Sequence, residues 1–288
     1  MYTTIKVHKN DGIARVVIDN PPLNLLDIAL LNDLDAFITE AENDATTRVI
    51  VFESADEDFF VAHGDMSFLD DPQALPAAMA MEIAGDQTLS PIVRVHERLR
   101  LLPQVTIGKI AGLARGGGSE LLLAMDLRFA AIETAGLAQN EAPLGIIPGG
   151  GGTVYLARLL GRARALEIIL GARLFDAATA ERYGWINRAL PAAELDEFVD
   201  GLARRIATLA PGVVSGTVEI LDAALASHQD GLKTEDEVGF RLITQPTAAA
   251  LTRAARAAGA QTRDGERDLE TILDAITAPD LAPHSADR

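Results

Sequence analysis

The sequence contains no cysteine and only one tryptophan among its 288 residues. Without cysteine the chain forms no disulfide, and it offers no thiolate to a zinc ion or as a catalytic nucleophile. Disulfide frameworks are typical of secreted proteins, so their absence favours a reducing compartment. We therefore expect a cytoplasmic protein.

Basic residues and long apolar runs are also scarce. The chain has 25 lysines and arginines against 42 aspartates and glutamates, a formal net charge of −17. Proteins that bind nucleic acid neutralise phosphates with basic side chains, so we expect no nucleic-acid partner. The apolar runs are far shorter than the ~20 residues that cross a bilayer, so we also expect no membrane partner.

The spacing of apolar residues predicts the first elements of secondary structure. Two β-like runs at 5–8 and 14–18 flank turn residues and predict a hairpin. Apolar residues three and four positions apart predict a helix over 27–41 with Asp27 as its N-cap. A buried strand is expected at 49–52.

Two glycine-rich segments follow, Gly116–Gly118 and Gly149–Gly152. We expect the first to lie where a strand at 105–111 turns into a helix at 120–124. Further strands are expected at 127–131 and 185–190, and further helices at 88–102, 163–172, 194–209, 214–226, 235–242 and 246–258. This order predicts an α/β catalytic core over 1–197, a helical region over 198–277 and a tail over 278–288.

Several common catalytic motifs are absent from the sequence. Neither glycine segment fits GxGxxG, and the chain has no P-loop, no GxSxG and no HExxH. The histidines have no partners at metal-ligand spacing, so we predict no metal site. On glycine content alone, Gly116–Gly118 would serve tight packing between strand and helix. Glu120 alone would be a favourable first-turn residue, with Ser119 as a cap.

A third segment changes this interpretation. The chain carries Ala62-His63-Gly64-Asp65 after the strand at 49–52, then Gly116-Gly117-Gly118-Ser119-Glu120, then Gln139-Asn140-Glu141, then Leu144-Gly145-Ile146-Ile147-Pro148-Gly149-Gly150-Gly151-Gly152-Thr153. These motifs, in this order, resemble those of the crotonase superfamily, the enoyl-CoA hydratase/isomerase fold. The resemblance runs over most of residues 5–190. It implies a spiral ββα core, with C-terminal helices that assemble homotrimers, often paired as homohexamers.

The resemblance also implies a reaction. The backbone N–H groups of Gly64 and Gly117 would form an oxyanion hole for a thioester carbonyl, and Glu120 and Glu141 would deliver water across the 2,3-double bond as base and acid. It further implies a set of substrate-binding positions, namely Ala62, His63, Asp65, Met66, Gly116 and Gly149. The acyl-CoA substrate brings its own coenzyme A as a carrier, and no cofactor is expected.

The chain departs from the family pattern at three positions. His63 replaces a usual glycine, Asn140 replaces the proline before Glu141, and one extra residue separates the two glutamates. His63 is either a pocket wall or a third acid/base group. Arg115 is either a partner for an aspartate or a contact for an anionic acyl chain.

Three functions stay open on the sequence. The retention of both glutamates favours an enoyl-CoA hydratase, a lyase. An enoyl-CoA isomerase or another acyl-CoA lyase or hydrolase of the same superfamily is the first alternative. A non-catalytic acyl-CoA-binding protein is the second, because the altered surroundings of Glu141 could disable water activation.

Overall fold

The computed structural model describes residues 2–70, 73–144, 146–226, 254, 257–259 and 275. The chain divides into two compact units, Met1–Ala207 and Thr208–Arg288. The first unit contains all of the predicted site residues.

The bounds of the described elements are as follows. The strands are β1 Ile5–Asn10, β2 Ile13–Ile18, β3 Val49–Ser54, β4 Phe59–Val61, β5 Val105–Ile110, β6 Leu113–Arg115, β7 Leu127–Ala131, β8 Gly136–Ala138, β9 Phe175–Asp176 and β10 Arg188–Leu190. The helices are α1 Ile28–Glu42, α2 Ser67–Asp70, α3 Ala74–Met79, α4 Pro91–Arg100, α5 Gly117–Leu123, α6 Gly152–Leu160, α7 Arg162–Gly171, α8 Ala177–Tyr183, α9 Ala192–Ala207 and α10 Val213–Ala226. A single 3₁₀ turn covers Ala142–Leu144.

The strands form two sheets that the chain visits alternately. The larger sheet has the order β1-β2-β3-β5-β7-β10, and the smaller sheet has the order β4-β6-β8-β9. Three successive pairs of strands each contribute their first strand to the larger sheet and their second to the smaller sheet, namely β3–β4, β5–β6 and β7–β8. Helices follow each pair. The neighbouring strands from successive pairs are parallel. This repeat is the predicted spiral of ββα units.

The early elements follow the sequence pattern closely. β1 and β2 pair antiparallel around the predicted turn. The Asp27 carboxylate accepts a hydrogen bond from the backbone N–H of Leu30 at 2.8 Å, so it is the N-cap of α1. The apolar face of α1 is buried in the main core. Local signals determine these elements because their periodicity is regular.

The start of α5 differs from the sequence prediction. The helix begins at Gly117, three residues before the predicted start, and Gly116 is its N-cap with φ 46°. Ser119 lies inside the first turn, fully buried, so its predicted role as a cap is wrong. The Cβ that Gly118 would carry lies 2.3 Å from the Val61 carbonyl oxygen. Glycine is therefore required here because α5 packs directly against the backbone of β4.

The sequence does not predict the short strands β6 and β8. β6 and β8 have three residues each, which is too short for an alternating pattern to be recognised. Both belong to the smaller sheet, and β6 leads directly into the first glycine segment. The entry to that segment is therefore held by strand pairing on both sides.

Helix α9 completes the first unit. One face of α9, with Leu195, Val199, Ala203 and Ala207 four residues apart, packs in a second core cluster with side chains of β3, β5 and β7. Lys109 on β5 forms ion pairs with Glu53 and, at 2.7 Å, with Asp196 on α9. The predicted domain boundary at 197 falls inside this helix, and the compact unit continues to Ala207.

The second unit is described mainly by α10, which agrees with the helix predicted at 214–226. The helix predicted at 235–242 and the tail at 278–288 lie outside the described residues, and the helix predicted at 246–258 lies almost wholly outside them. The oligomerisation role of 198–277 stays a prediction. None of the helices in the described ranges is long and apolar enough to cross a membrane.

Candidate active site

Gly64 lies just after β4, where a short backbone bridge holds it. The Leu26 N–H donates to the His63 carbonyl at 3.0 Å, and the Asp65 N–H donates to the Leu26 carbonyl at 3.2 Å. In a parallel bridge of this kind, the N–H of the middle residue, here Gly64, points away from the partner strand. Among the described residues, the Gly64 N–H has no hydrogen-bond acceptor. This donor is thus available to a ligand.

Gly117 is the first residue of α5, and its N–H also has no acceptor in the described part of the chain. First-turn N–H groups have no partner inside a helix, so they bind a cap or a ligand. The Cβ that Gly117 would carry lies 3.3 Å from the Gly64 nitrogen and 3.0 Å from Leu26 Cδ2. The fold therefore brings two unpaired backbone donors, from distant parts of the chain, close together.

Glu120 projects from α5 towards the second glycine segment. Its Oε1 accepts hydrogen bonds from the backbone N–H groups of Gly150 and Gly152, each at 2.8 Å. The residue is 2% exposed. Burial raises the pKa of the Glu120 carboxyl, and the two N–H donors act in the opposite direction because they stabilise the anion.

Glu141 lies beside the first glycine segment. The Cβ that Gly116 would carry lies 2.8 Å from Glu141 Oε1. The Gln139 amide is 3.2 Å from both Glu141 oxygens and donates to them when its nitrogen faces the carboxylate. Burial first, and the negative charge of Glu120 second, raise the pKa of Glu141 to about 7. The charge of Glu120 is therefore near enough to affect the ionisation of Glu141.

Gln139 also lies near the other carboxylate. The Cβ that Gly152 would carry lies 2.9 Å from Glu120 Oε1 and 3.0 Å from the Gln139 side-chain amide. Gln139 is fully buried. The buried Gln139 amide therefore lies near both glutamate carboxylates. Because two like charges repel each other in such a site, the two carboxylates favour the retention of one proton between them.

The predicted substrate-binding positions have different surroundings. Ala62 is buried at 2% exposure, whereas Met66 is 44% exposed. Asp65 Oδ1 accepts from the Ser67 N–H at 2.9 Å, so its carboxylate supports the start of α2. A Cβ on Gly149 would meet nothing within 4 Å, which leaves open space beside that residue. The role of each position in substrate binding stays a prediction.

His63 and Arg115 have neighbours that the sequence did not indicate. The Nδ1 atom of His63 lies 2.8 Å from the Gly64 carbonyl oxygen and donates to it in the matching tautomer. The Arg115 guanidinium lies over the Phe59 ring at 5.9 Å from its centroid. Within the described residues Arg115 forms no ion pair, so the expected aspartate partner is not present there.

Comparison with known proteins agrees with this architecture. The family model described as enoyl-CoA hydratase/isomerase matches residues 8–257. The chain belongs to the enoyl-CoA hydratase/isomerase family. It is 33% identical over 225 residues to a short-chain-enoyl-CoA hydratase of Clostridium acetobutylicum, covering 78% of this chain and 83% of that protein.

Solved structures of the family show the same fold. A putative enoyl-CoA hydratase from Streptomyces avermitilis matches with a TM-score of 0.73 and 46% identity, covering 95% of this chain and 98% of the other. An enoyl-CoA hydratase from Bacillus anthracis matches with a TM-score of 0.79 and 30% identity, covering 88% and 96%. The predicted crotonase-superfamily membership and fold are confirmed.

Two residues near this enoyl-CoA hydratase/isomerase site were not assigned a role from the sequence. Gln139 stood within a recognised motif, and its position before Glu141 was the available signal. His96 on α4 gave no signal, because it lies in an ordinary amphipathic helix. Its Nδ1 atom lies 2.7 Å from the Gly150 carbonyl oxygen, which connects α4 to the segment that binds Glu120.

Proposed function

We propose that this protein hydrates a 2-enoyl-CoA thioester to the 3-hydroxyacyl-CoA. The observation that carries the proposal is the proximity of the unpaired N–H groups of Gly64 and Gly117, together with two buried glutamates, of which Glu120 raises the pKa of Glu141. Family membership makes an acyl-CoA the substrate class. The coenzyme A moiety acts as the carrier of the acyl group, and the mechanism uses no cofactor.

The two backbone donors serve the developing negative charge. When the hydroxyl group of water adds to C3, electrons of the double bond move towards C1, and the thioester oxygen becomes an enolate oxygen. The N–H groups of Gly64 and Gly117 bind that oxygen in the proposed complex. Fixed donors of this kind contribute ~3 kcal/mol each, because they need no reorganisation during the reaction.

The two carboxyl groups share the proton transfers. Glu120 acts as the base, because the N–H donors of Gly150 and Gly152 stabilise its anion and offset part of the burial that raises its pKa. Glu141, whose pKa of about 7 keeps it substantially protonated at neutral pH, gives its proton to C2. Glu120 gains a proton from water as Glu141 loses one. Transfer between them restores the starting state, so the pair holds one proton before and after the reaction.

The test follows the loss of the conjugated-enoyl absorbance of crotonyl-CoA. We expect the wild-type protein to turn over, and Glu120→Gln and Glu141→Gln each to lower kcat by about 10²–10⁴-fold, the range for a lost acid or base. Glu181→Gln is the matched control, because Glu181 is an exposed residue of α8. It should retain full activity.

Other outcomes of this assay identify the alternatives. An isomerase would survive one of the two glutamate substitutions, and it would convert a 3-enoyl-CoA into the conjugated 2-enoyl-CoA. A non-catalytic protein would bind several acyl-CoA thioesters without turnover of any. Either result would replace the proposed hydration.

We also propose that the protein forms a homotrimer or a homohexamer. Apolar side chains are unusually exposed on α6, on α7 and in the segments beside them, namely Ile147 at 70%, Val154 at 57%, Leu170 at 66% and Leu174 at 52%. We infer that these exposed apolar side chains contribute to subunit contacts, because subunit contacts bury apolar surface. Light scattering after size-exclusion chromatography tests this proposal, and a monomer at micromolar concentration would contradict it.

A further inference from the structure

Helix α4 contacts the second glycine segment and the helix that follows it through two adjacent residues. His96 Nδ1 lies 2.7 Å from the Gly150 carbonyl oxygen. The next residue, Glu97, accepts a hydrogen bond from the Tyr155 hydroxyl at 2.6 Å, and the Tyr155 N–H donates to the Gly151 carbonyl at 2.9 Å. The glycine segment is therefore held on both sides of its left-handed residue, Gly151, whose φ is 103°.

Gly150 is the direct link between His96 and Glu120. Its carbonyl faces the imidazole, and its N–H donates to Glu120 Oε1 at 2.8 Å. The Cβ that Gly150 would carry lies 2.8 Å from Glu120 Oε2 and 3.0 Å from His96 Cε1. The imidazole and the carboxylate thus flank the same glycine. The N–H and the carbonyl belong to the two peptide planes that meet at the Gly150 Cα, so a change in the backbone dihedrals of Gly150 would disturb the alignment of these hydrogen bonds.

The protonation state of His96 suits this link. The residue is fully buried, and burial lowers its pKa to about 4. It is therefore neutral at pH 7, and a carbonyl acceptor requires the proton on Nδ1. Nε2 has no hydrogen-bond partner in the described part of the chain. An apolar side chain would fill the same space without an unpaired polar atom, so packing alone does not account for a histidine here.

We propose that His96 is a positioning residue for Glu120. Its Nδ1–H holds the Gly150 carbonyl and thereby the backbone dihedrals of Gly150 at which the Gly150 N–H, with that of Gly152, points at the Glu120 carboxylate. His96 itself touches neither substrate nor water in this scheme. The inference rests on the proposed catalytic role of Glu120, and it adds a residue on a different helix to the machinery that sets the ionisation of that group.

The substitutions His96→Asn and His96→Leu form a matched pair. An asparagine side chain places its amide nitrogen close to the position of histidine Nδ1, and leucine has nearly the same shape as asparagine but no donor. Both leave the same space where the ring was. We expect His96→Asn to keep kcat for crotonyl-CoA within threefold of the wild type. His96→Leu should lower kcat at least tenfold, with KM changed less than threefold.

The ionisation of Glu120 provides a measurement that does not need turnover. Carbon-13 NMR of glutamate-labelled protein follows the carboxyl pKa of Glu120, and comparison with Glu120→Gln assigns its signal. We expect this pKa to rise by at least half a unit in His96→Leu. It should stay near the wild-type value in His96→Asn. The direction follows because N–H donors lower a carboxyl pKa, and loosened donors lower it less. The charged or titratable groups facing Glu120 are Glu141, Tyr155 and His96.

The outcomes separate this inference from the proposed function. Equal kcat values and equal Glu120 pKa values in the Asn and Leu variants would overturn the positioning role. Wild-type protein that does not hydrate crotonyl-CoA would overturn the proposed function alone, because the NMR titration still tests the link from His96 to Glu120. Thermal unfolding of both variants checks that they are folded, and we expect similar midpoints for the two.

Discussion

The two glycine-rich segments resemble each other in composition and use their backbone donors in opposite ways. Each has a glycine with positive φ just before a helix, Gly116 before α5 and Gly151 before α6. In the first segment the Gly117 N–H has no acceptor among the described residues, whereas in the second the donors bind Glu120. Glycine content alone therefore does not identify a ligand site. The distinguishing feature is whether the protein supplies an acceptor.

The two segments also depend on each other. Glu120 lies on the helix that the first segment begins, and its carboxylate is the acceptor for the second. Glu141 precedes the second segment, and its carboxylate lies against Gly116 of the first. Each segment therefore contributes the acid that the other one contacts. Substitutions that act on one segment alone can test how far their roles differ.

The largest expected effect comes from the donors of the first segment. Gly117→Ala would place a Cβ 3.3 Å from the Gly64 nitrogen and separate the two N–H groups. We expect kcat/KM for crotonyl-CoA to fall about 100-fold, as for the loss of an oxyanion donor. Gly201→Ala is the control, because its Cβ on the exposed face of α9 would meet nothing within 4 Å, and its activity should stay within about threefold of the wild type. Equal losses in both variants would contradict the assignment.

The next effect concerns stability and distinguishes close packing from open space. Gly118→Ala would place a Cβ 2.3 Å from a backbone oxygen of β4, which cannot yield without moving the strand. We expect a cost of about 2–3 kcal/mol and a melting temperature lower by roughly 5–10 °C. Gly149→Ala has open space and should melt within about 1 °C of the wild type. Calorimetry measures both, and coincident transitions would show that the segments are equally tolerant.

A smaller effect follows from the raised pKa of Glu141. Because its folded-state pKa of about 7 exceeds the ordinary 4.5, the native state binds the extra proton between these values. The resulting stabilisation is complete below about pH 4.5 and is lost as the pH rises through about 7. Glu141→Gln removes this charge, so its melting temperature should exceed that of the wild type by more at pH 8 than at pH 5. We expect this gain at pH 8 to be larger than the gain at pH 5 by roughly 2–4 °C. A difference independent of pH would contradict this ionisation.

The smallest effect is expected just before the first segment. Arg115 lies over Phe59 and, within the described residues, forms no ion pair. Arg115→Gln should change the free energy of unfolding by about 1 kcal/mol, the usual size of a cation–π contact that is partly open to solvent. Its kcat for crotonyl-CoA should be unchanged. A selective loss of activity towards acyl-CoA substrates with a terminal carboxylate would instead support the contact with an anionic acyl chain.

Regular elements of this fold were predictable, and the shortest were not. The hairpin, α1 and β7 have clear periodicity, and the structure places them where the sequence predicts them. β6 and β8 have too few residues to show a period. The start of α5 was placed too late, because glycine has low helix propensity and the contact with β4 that requires it is not local.

The sequence by itself determined the family, the ββα order and the identity of the candidate acids, since motif order and periodicity are properties of the chain. Only the tertiary structure decided which backbone donors stay unpaired, that Gly64 meets Gly117, and that His96 contacts Gly150. The physical reason is that a backbone N–H is chemically alike at nearly every residue. Its role depends on the acceptor it meets, and that acceptor is supplied by distant parts of the folded chain.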